Sequence, residues 1–125
     1  TSAAQAGVPI YCPALGDSSI GIALAQEEKG PAVLFDIVAD VRETAYIVAQ
    51  SKATGVIFLG GGTPKNFIQQ TEVTANMMGR KVRGHRYAIQ VTTDAPHWGG
   101  LSGCTFEEAQ SWGKISEDAR KVTVY

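Results

Sequence analysis

A parallel β-sheet layered with helices on both faces, an α/β arrangement of the Rossmann-like type, is the fold the sequence predicts. Three observations predict it. Residues 55–59 (GVIFL) are a continuous apolar run of strand length, the pattern of a parallel strand covered on both faces. Three glycines follow at once at positions 60–62, and Thr63-Pro64 can open a helix directly after them, since proline is tolerated in a first helical turn. Strand-like and helix-like stretches then alternate to the end of the chain, as crossover-connected parallel strands require.

The elements can be read in order. Residues 7–13 (GVPIYCP) form a short apolar run closed by a proline, which predicts a buried strand leading into the loop of residues 14–21. Between Pro31 and Lys52, the apolar residues Leu34, Ile37, Val38, Val41, Ala45 and Val48 recur at helical spacing and form one stripe. Residues 55–59 are the next strand, and Thr63 is placed to cap a helix that runs through Phe67 and Ile68 towards Met78. Residues 87–91 read as a strand, residues 94–103 as a glycine-rich loop, Thr105 as the start of a further helix, and residues 122–125 as the beginning of one more strand. In such sheets ligands bind at the carboxyl ends of the strands. Three loops at those ends carry the unusual residues: 15–21, 60–65 and 92–103.

The 125 residues, 44% of them hydrophobic, suit one domain with an ordinary core. A net charge of −1, with both signs scattered along the chain, provides no footprint for nucleic acid or an anionic membrane. There is no apolar run of spanning length and no secretory signal, so a cytoplasmic protein is expected. Cys12 and Cys104 lack the spacing of a zinc or redox pair and are expected to be reduced. His85 and His97 are too few and too isolated for a metal site, and surface or loop roles are expected for both. The chain opens at Thr1 without an initiator methionine and stops at Tyr125 within an alternating pattern. A single domain over residues 1–125, cut from a longer one, is the organisation expected.

Several residues could carry chemistry, and each has a plainer role beside it. The triplet at 60–62 could let a backbone approach a pyrophosphate at a helix amino terminus, or it could be a tight turn. Asp17 could accept hydrogen bonds from ribose hydroxyls, or serve an Asx turn or helix cap. Thr105 and Glu108 have the form of a capping box, while Glu108 could also bind an ammonium group. Glu108 and Trp112, four apart, share a helix face, bringing a carboxylate and an aromatic surface together as a cationic amine would need; Trp112 could equally anchor a core. Lys114, near the end of this helix, could be a solvated lysine complementing the dipole. Alternatively it is a desolvated amine able to form an imine with a carbonyl-level carbon.

Taken together, Pro13-Ala-Leu-Gly-Asp17, Phe35-Asp-Ile-Val38, the run from Gly55 to Gly62 and above all Glu108-Ala-Gln-Ser-Trp-Gly-Lys114 resemble the deoxyhypusine synthase family. The resemblance covers residues 7–125. It implies a homotetramer of Rossmann-like subunits with NAD and a polyamine held at a subunit interface. It further implies that spermidine is oxidised by NAD, that its aminobutyl group passes to a lysine as an imine, and that a protein lysine or a free amine takes it up. By resemblance Lys114 is the imine-forming lysine, Glu108 and Trp112 hold the amine, and Asp17, Gly61 and Thr93 fall on positions that contact NAD.

The departures from the family pattern are specific. Ile22 stands where a second aspartate is usual, Asn66 where a histidine is usual, and Trp98 and Leu101 where aspartates are usual. A terminal ammonium would lose up to three carboxylate partners, and burying it unpaired costs several kcal/mol. A less cationic or shorter amine, or transfer to a free amine as in homospermidine synthases, therefore fits better. Asp94 and Glu107 are available to compensate. An NAD-dependent aminoalkyl transferase is thus expected, with a non-catalytic NAD- or amine-binding paralogue, regulatory or structural, as the alternative. A plain dehydrogenase ranks third because it would not require Lys114.

Overall fold

The computed structural model describes residues 2–27, 29–30 and 32–125. Pro31, the predicted boundary of the helical stripe, and Thr1 lie outside the described residues. The elements run α1 (Ser2–Gln5), α2 (Ser19–Gln26), α3 (Ile37–Gln50), β1 (Gly55–Leu59), α4 (Thr63–Met77), β2 (His85–Val91), α5 (Gly100–Gly103), α6 (Phe106–Ser111) and β3 (Ile115–Val124). The three strands form one parallel sheet in the order β1-β2-β3. The α/β, Rossmann-like fold predicted from the sequence is the fold observed.

The register explains where the core sits. Val56 pairs with Ala88 and Phe58 with Gln90, so these side chains share one face. The helices α4 and α6 pack on that face: Phe106 of α6 meets Phe58 at 6.3 Å between ring centroids, and Val56, Phe58, Ala88, Phe106, Ala109 and Ile115 form the buried cluster. The other face carries the rows Ile57–Ile89–Val122 and Leu59–Val91–Val124, all of them exposed. Parallel strands are normally covered on both faces; among the described residues, only one face of this sheet is.

Several expectations are corrected in detail. Residues 8–12 are not a strand. Tyr11 and Pro13 instead line a cavity of about 430 Å³ together with Val48, Ile57 and Phe67 among others. Val8 and Ile10 are accordingly exposed. The stripe of residues 31–52 becomes a helix only from Ile37, because Asp36 caps it: its Oδ1 accepts the Ala39 amide at 2.8 Å. Leu34 falls before the cap and is exposed. Thr63 is the first residue of α4 rather than its cap; the cap is Gly62, in a left-handed conformation with φ +77°. The strand β3 begins at Ile115, seven residues before the predicted start.

Gly61 owes its identity to packing. A Cβ placed there would lie 2.5 Å from Ser102 Cα, and that neighbour is backbone. Gly61→Ala is therefore expected to destabilise the protein by about 1–3 kcal/mol, the usual cost of overpacking, read as a lower denaturant midpoint. A midpoint equal to that of the native protein would show that the two loops are not in contact.

Candidate active site

The glycine turn and the 94–103 loop meet through two buried polar side chains that the sequence did not single out. Lys65, in the first turn of α4, is 3% exposed. Its ammonium donates to Cys104 O at 2.7 Å, to Gln90 Oε1 at 3.0 Å and to Ser102 O at 3.4 Å. Gln90, on the inward face of β2, donates from Nε2 to Gly60 O at 3.0 Å and to Ser102 O at 3.2 Å. Every partner of this ammonium is neutral, and burial pushes Lys65 below the usual lysine range, with the charges of Cys104, Glu108 and Lys114 acting more weakly. The alternation along residues 88–91 of β2, which turns Ala88 and Gln90 the same way, was the one signal in the sequence that could have marked Gln90 as buried.

Lys114 stands in the turn after α6, immediately before β3, rather than within the helix. Its backbone carbonyl accepts the His85 amide at 3.1 Å, and its half-buried ammonium donates to Asn66 Oδ1 at 3.0 Å. Asn66 is thus a direct partner of the lysine, at a position where the family pattern has histidine. Glu108 is exposed on α6, and Thr105 caps that helix by accepting the Glu108 amide at 3.2 Å, which is half of the predicted capping box. Burial, and then the adjacent Glu108 carboxylate, push the Cys104 thiol up. Cys12 and Cys104 are both free thiols. Trp112 is 67% exposed, so the core-anchor role does not hold.

The structure therefore gathers Lys65, Asn66, Cys104, Glu108 and Lys114 at one place. Gly60 and Gly62 adjoin it; both hold left-handed φ angles and leave open space where side chains would stand. Thr93 lies exposed just past β2, on the strand neighbouring the glycine turn. Asp17 ends a short 3-10 turn, and Ser18, not Asp17, caps α2, its Oγ accepting the Gly21 amide at 3.1 Å. No described contact joins Asp17 to Gly61 or Thr93. Ile22, Trp98 and Leu101 are exposed. Trp98 stacks edge-on against His97 at 5.5 Å.

The second buried cluster lies on the same face of the sheet. His85 is 2% exposed, against the surface role expected for it. Its Nδ1 is 2.8 Å from Thr54 Oγ1, and its Nε2 donates to Ile68 O at 3.1 Å. Glu72 accepts from Thr54 at 3.0 Å and from the Gly84 amide at 3.1 Å. Burial holds the imidazole below its usual pKa, so the native state prefers it neutral. As pH falls, the unfolded chain takes up this proton first. The resulting stability is complete above about pH 6.5, the unfolded value, and declines as pH drops towards the native value. Denaturant midpoints measured from about pH 8 to pH 5 should show this decline, and His85→Gln should flatten it.

A family model described as Deoxyhypusine synthase matches residues 1–125. The chain belongs to the deoxyhypusine synthase family. It is 57% identical over 125 residues to "Probable deoxyhypusine synthase 2" of Methanosarcina acetivorans, covering 99% of this chain and 36% of that protein. It is 59% identical over 123 residues to "Probable deoxyhypusine synthase 2" of Archaeoglobus fulgidus, covering 98% and 41%. Against "Probable deoxyhypusine synthase 1" of M. acetivorans identity is 46% over 124 residues, covering 99% and 37%. The chain thus spans about two fifths or less of the deoxyhypusine synthase relatives it matches. These names do not favour the non-catalytic alternative. Among the described residues no helix is long and apolar enough to cross a membrane, and no group of histidine, cysteine and carboxylate side chains is placed to hold a metal ion.

Proposed function

We propose that the full polypeptide is an NAD-dependent aminoalkyl transferase of the deoxyhypusine synthase type, in which Lys114 carries the aminoalkyl group as an imine. The observation that carries this reading is the contact of Lys114 Nζ with Asn66 Oδ1, beside the Glu108 carboxylate. Asn66 accepts one N–H and so orients the amine, leaving the nitrogen to face a reacting carbon once its extra proton has gone. Glu108 offers a carboxylate to a substrate ammonium, and the exposed face of Trp112 can lie against the same cation.

The glycine turn is a fitting cradle for NAD. Side chains at Gly60 and Gly62 would occupy space that is open here, at the amino end of the 15-residue α4, whose cap has no side chain; a pyrophosphate is favoured at such a terminus. Gly61, Thr93 and Asp17 are the residues assigned to hold it. NAD bound there would accept and return the hydride that amine oxidation and imine reduction require. The exposed Trp98, Leu101 and Trp112 are apolar surface of the kind a partner subunit covers; a homotetramer with sites at subunit interfaces, acting in the cytoplasm on a polyamine, is the assembly that goes with this family reading.

The donor is a polyamine such as spermidine, and the acceptor is either a protein lysine or a free amine. The loop that would face the amine tail presents Trp98 and Leu101, and Ile22 is equally apolar. The deciding experiment incubates the full polypeptide with NAD and spermidine, putrescine or agmatine, adds borohydride, and maps alkyl adducts by mass spectrometry. An adduct on Lys114 that needs both NAD and one amine is expected; no adduct with any amine, from protein that binds NAD, would reject the reading.

A further inference from the structure

Two consecutive residues of α4 grip the two ends of the α6 segment. Lys65 donates to the carbonyl of Cys104, one residue before the Thr105 cap, and Asn66 accepts from Lys114, in the turn beyond Ser111. Between those grips lies the short helix that carries Glu108. Gln90 reinforces the first of them, since its amide shares the Ser102 carbonyl with Lys65 and ties both to Gly60. The close approach of Gly61 to Ser102 leaves that junction no slack.

A buried ammonium held only by neutral oxygens is a costly way to fill space. An apolar side chain of the same length would avoid the desolvation, and replacing buried charges by such residues is often neutral or stabilising. The retained donors here are directed at two carbonyls of the one loop that leads into α6, and all three N–H bonds are used. That leaves Lys65 unable to act as a nucleophile and well suited to fix a backbone.

We propose that Lys65 is a positioning residue of the transfer site: its three buried hydrogen bonds fix the 102–104 loop, and thereby hold Glu108 at a set distance from Lys114. This rests on the transferase reading given above. Glu108 must meet the substrate ammonium while Lys114 meets the reacting carbon, so a loop free to shift by an ångström would let the amine bind but misplace its carbon. The signature is therefore a loss in kcat that exceeds the change in KM.

Lys65→Met in the full polypeptide keeps the volume and removes the donors. Its unfolding midpoint is expected to stay within a few degrees of the native protein. Amide hydrogen exchange over residues 104–111 should become at least tenfold faster, kcat should fall by about a hundredfold, and KM for the amine should change by less than threefold. A kcat within threefold of the native value, or exchange over 104–111 that does not change, would overturn the proposal. If Lys65→Met does not fold, Gln90→Leu carries the test, with exchange accelerated and kcat reduced about tenfold; unchanged values overturn it equally. If the native polypeptide forms no adduct with any amine, the transferase reading fails by itself, and the exchange measurement alone decides whether Lys65 holds the loop.

Discussion

Lys114→Arg in the full polypeptide is expected to abolish the borohydride-trapped adduct and to lower amine transfer by about a thousandfold or more, the scale seen when a covalent nucleophile is removed. Arginine keeps the positive charge and can still donate to Asn66 Oδ1, so the contact that holds the side chain at 3.0 Å has a substitute. What it lacks is an amine that can lose its proton and form an imine. NAD binding should be unaffected, because the described side-chain hydrogen bond of Lys114 goes to Asn66 and not to Asp17, Gly61 or Thr93, the residues assigned to NAD. The variant thus separates covalent carriage from binding. Transfer at more than a tenth of the native rate by Lys114→Arg would place the imine on another residue.

Glu72→Ala should be the most damaging substitution outside that site. Glu72 is 2% exposed and is the acceptor for both the Thr54 hydroxyl and the Gly84 amide. Truncation leaves a buried backbone N–H without its acceptor and a buried imidazole without the carboxylate 3.4 Å from its Nδ1, and opens a cavity besides. Leaving buried hydrogen-bonding groups without their partner costs about 1–3 kcal/mol each, a large share of the 5–15 kcal/mol that roughly bounds domain stability. Chemical denaturation would measure it. A loss under about 1 kcal/mol would mean that water replaces the carboxylate.

The parts of the fold that were legible in the sequence are those set by apolar pattern and glycine. The run at 55–59, the triplet after it and the stripe around Val41, Ala45 and Val48 each specify an element regardless of what surrounds it. Strand β3 was mostly missed because ISEDARKV is polar and its pairing with β2 is a tertiary fact; a shift in register between His85 and Tyr87 hides the first residues further. Residues 8–12 have strand composition but no ladder, which composition cannot reveal. In the candidate site, the set Glu108, Trp112 and Lys114 was legible as a motif. Asn66 stood out as a departure from the family pattern, but the buried supports Lys65 and Gln90 did not, since polar side chains read one at a time look solvated. Their burial follows only from which strand face and which helix turn they occupy. His85 was misjudged for the same reason.

The grips on residues 104 and 114 come from neighbours one residue apart on a rigid helix. The span between them therefore behaves like a rung of fixed length: exposed side chains such as Glu107 and Ser111 can vary, but its residue count cannot. Adding or removing one residue anywhere from 105 to 113 would force either Cys104 or Lys114 off its partner. Related chains adapting to new amines would be free to change the exposed positions of this stretch and the loop before it, and would be held to its length.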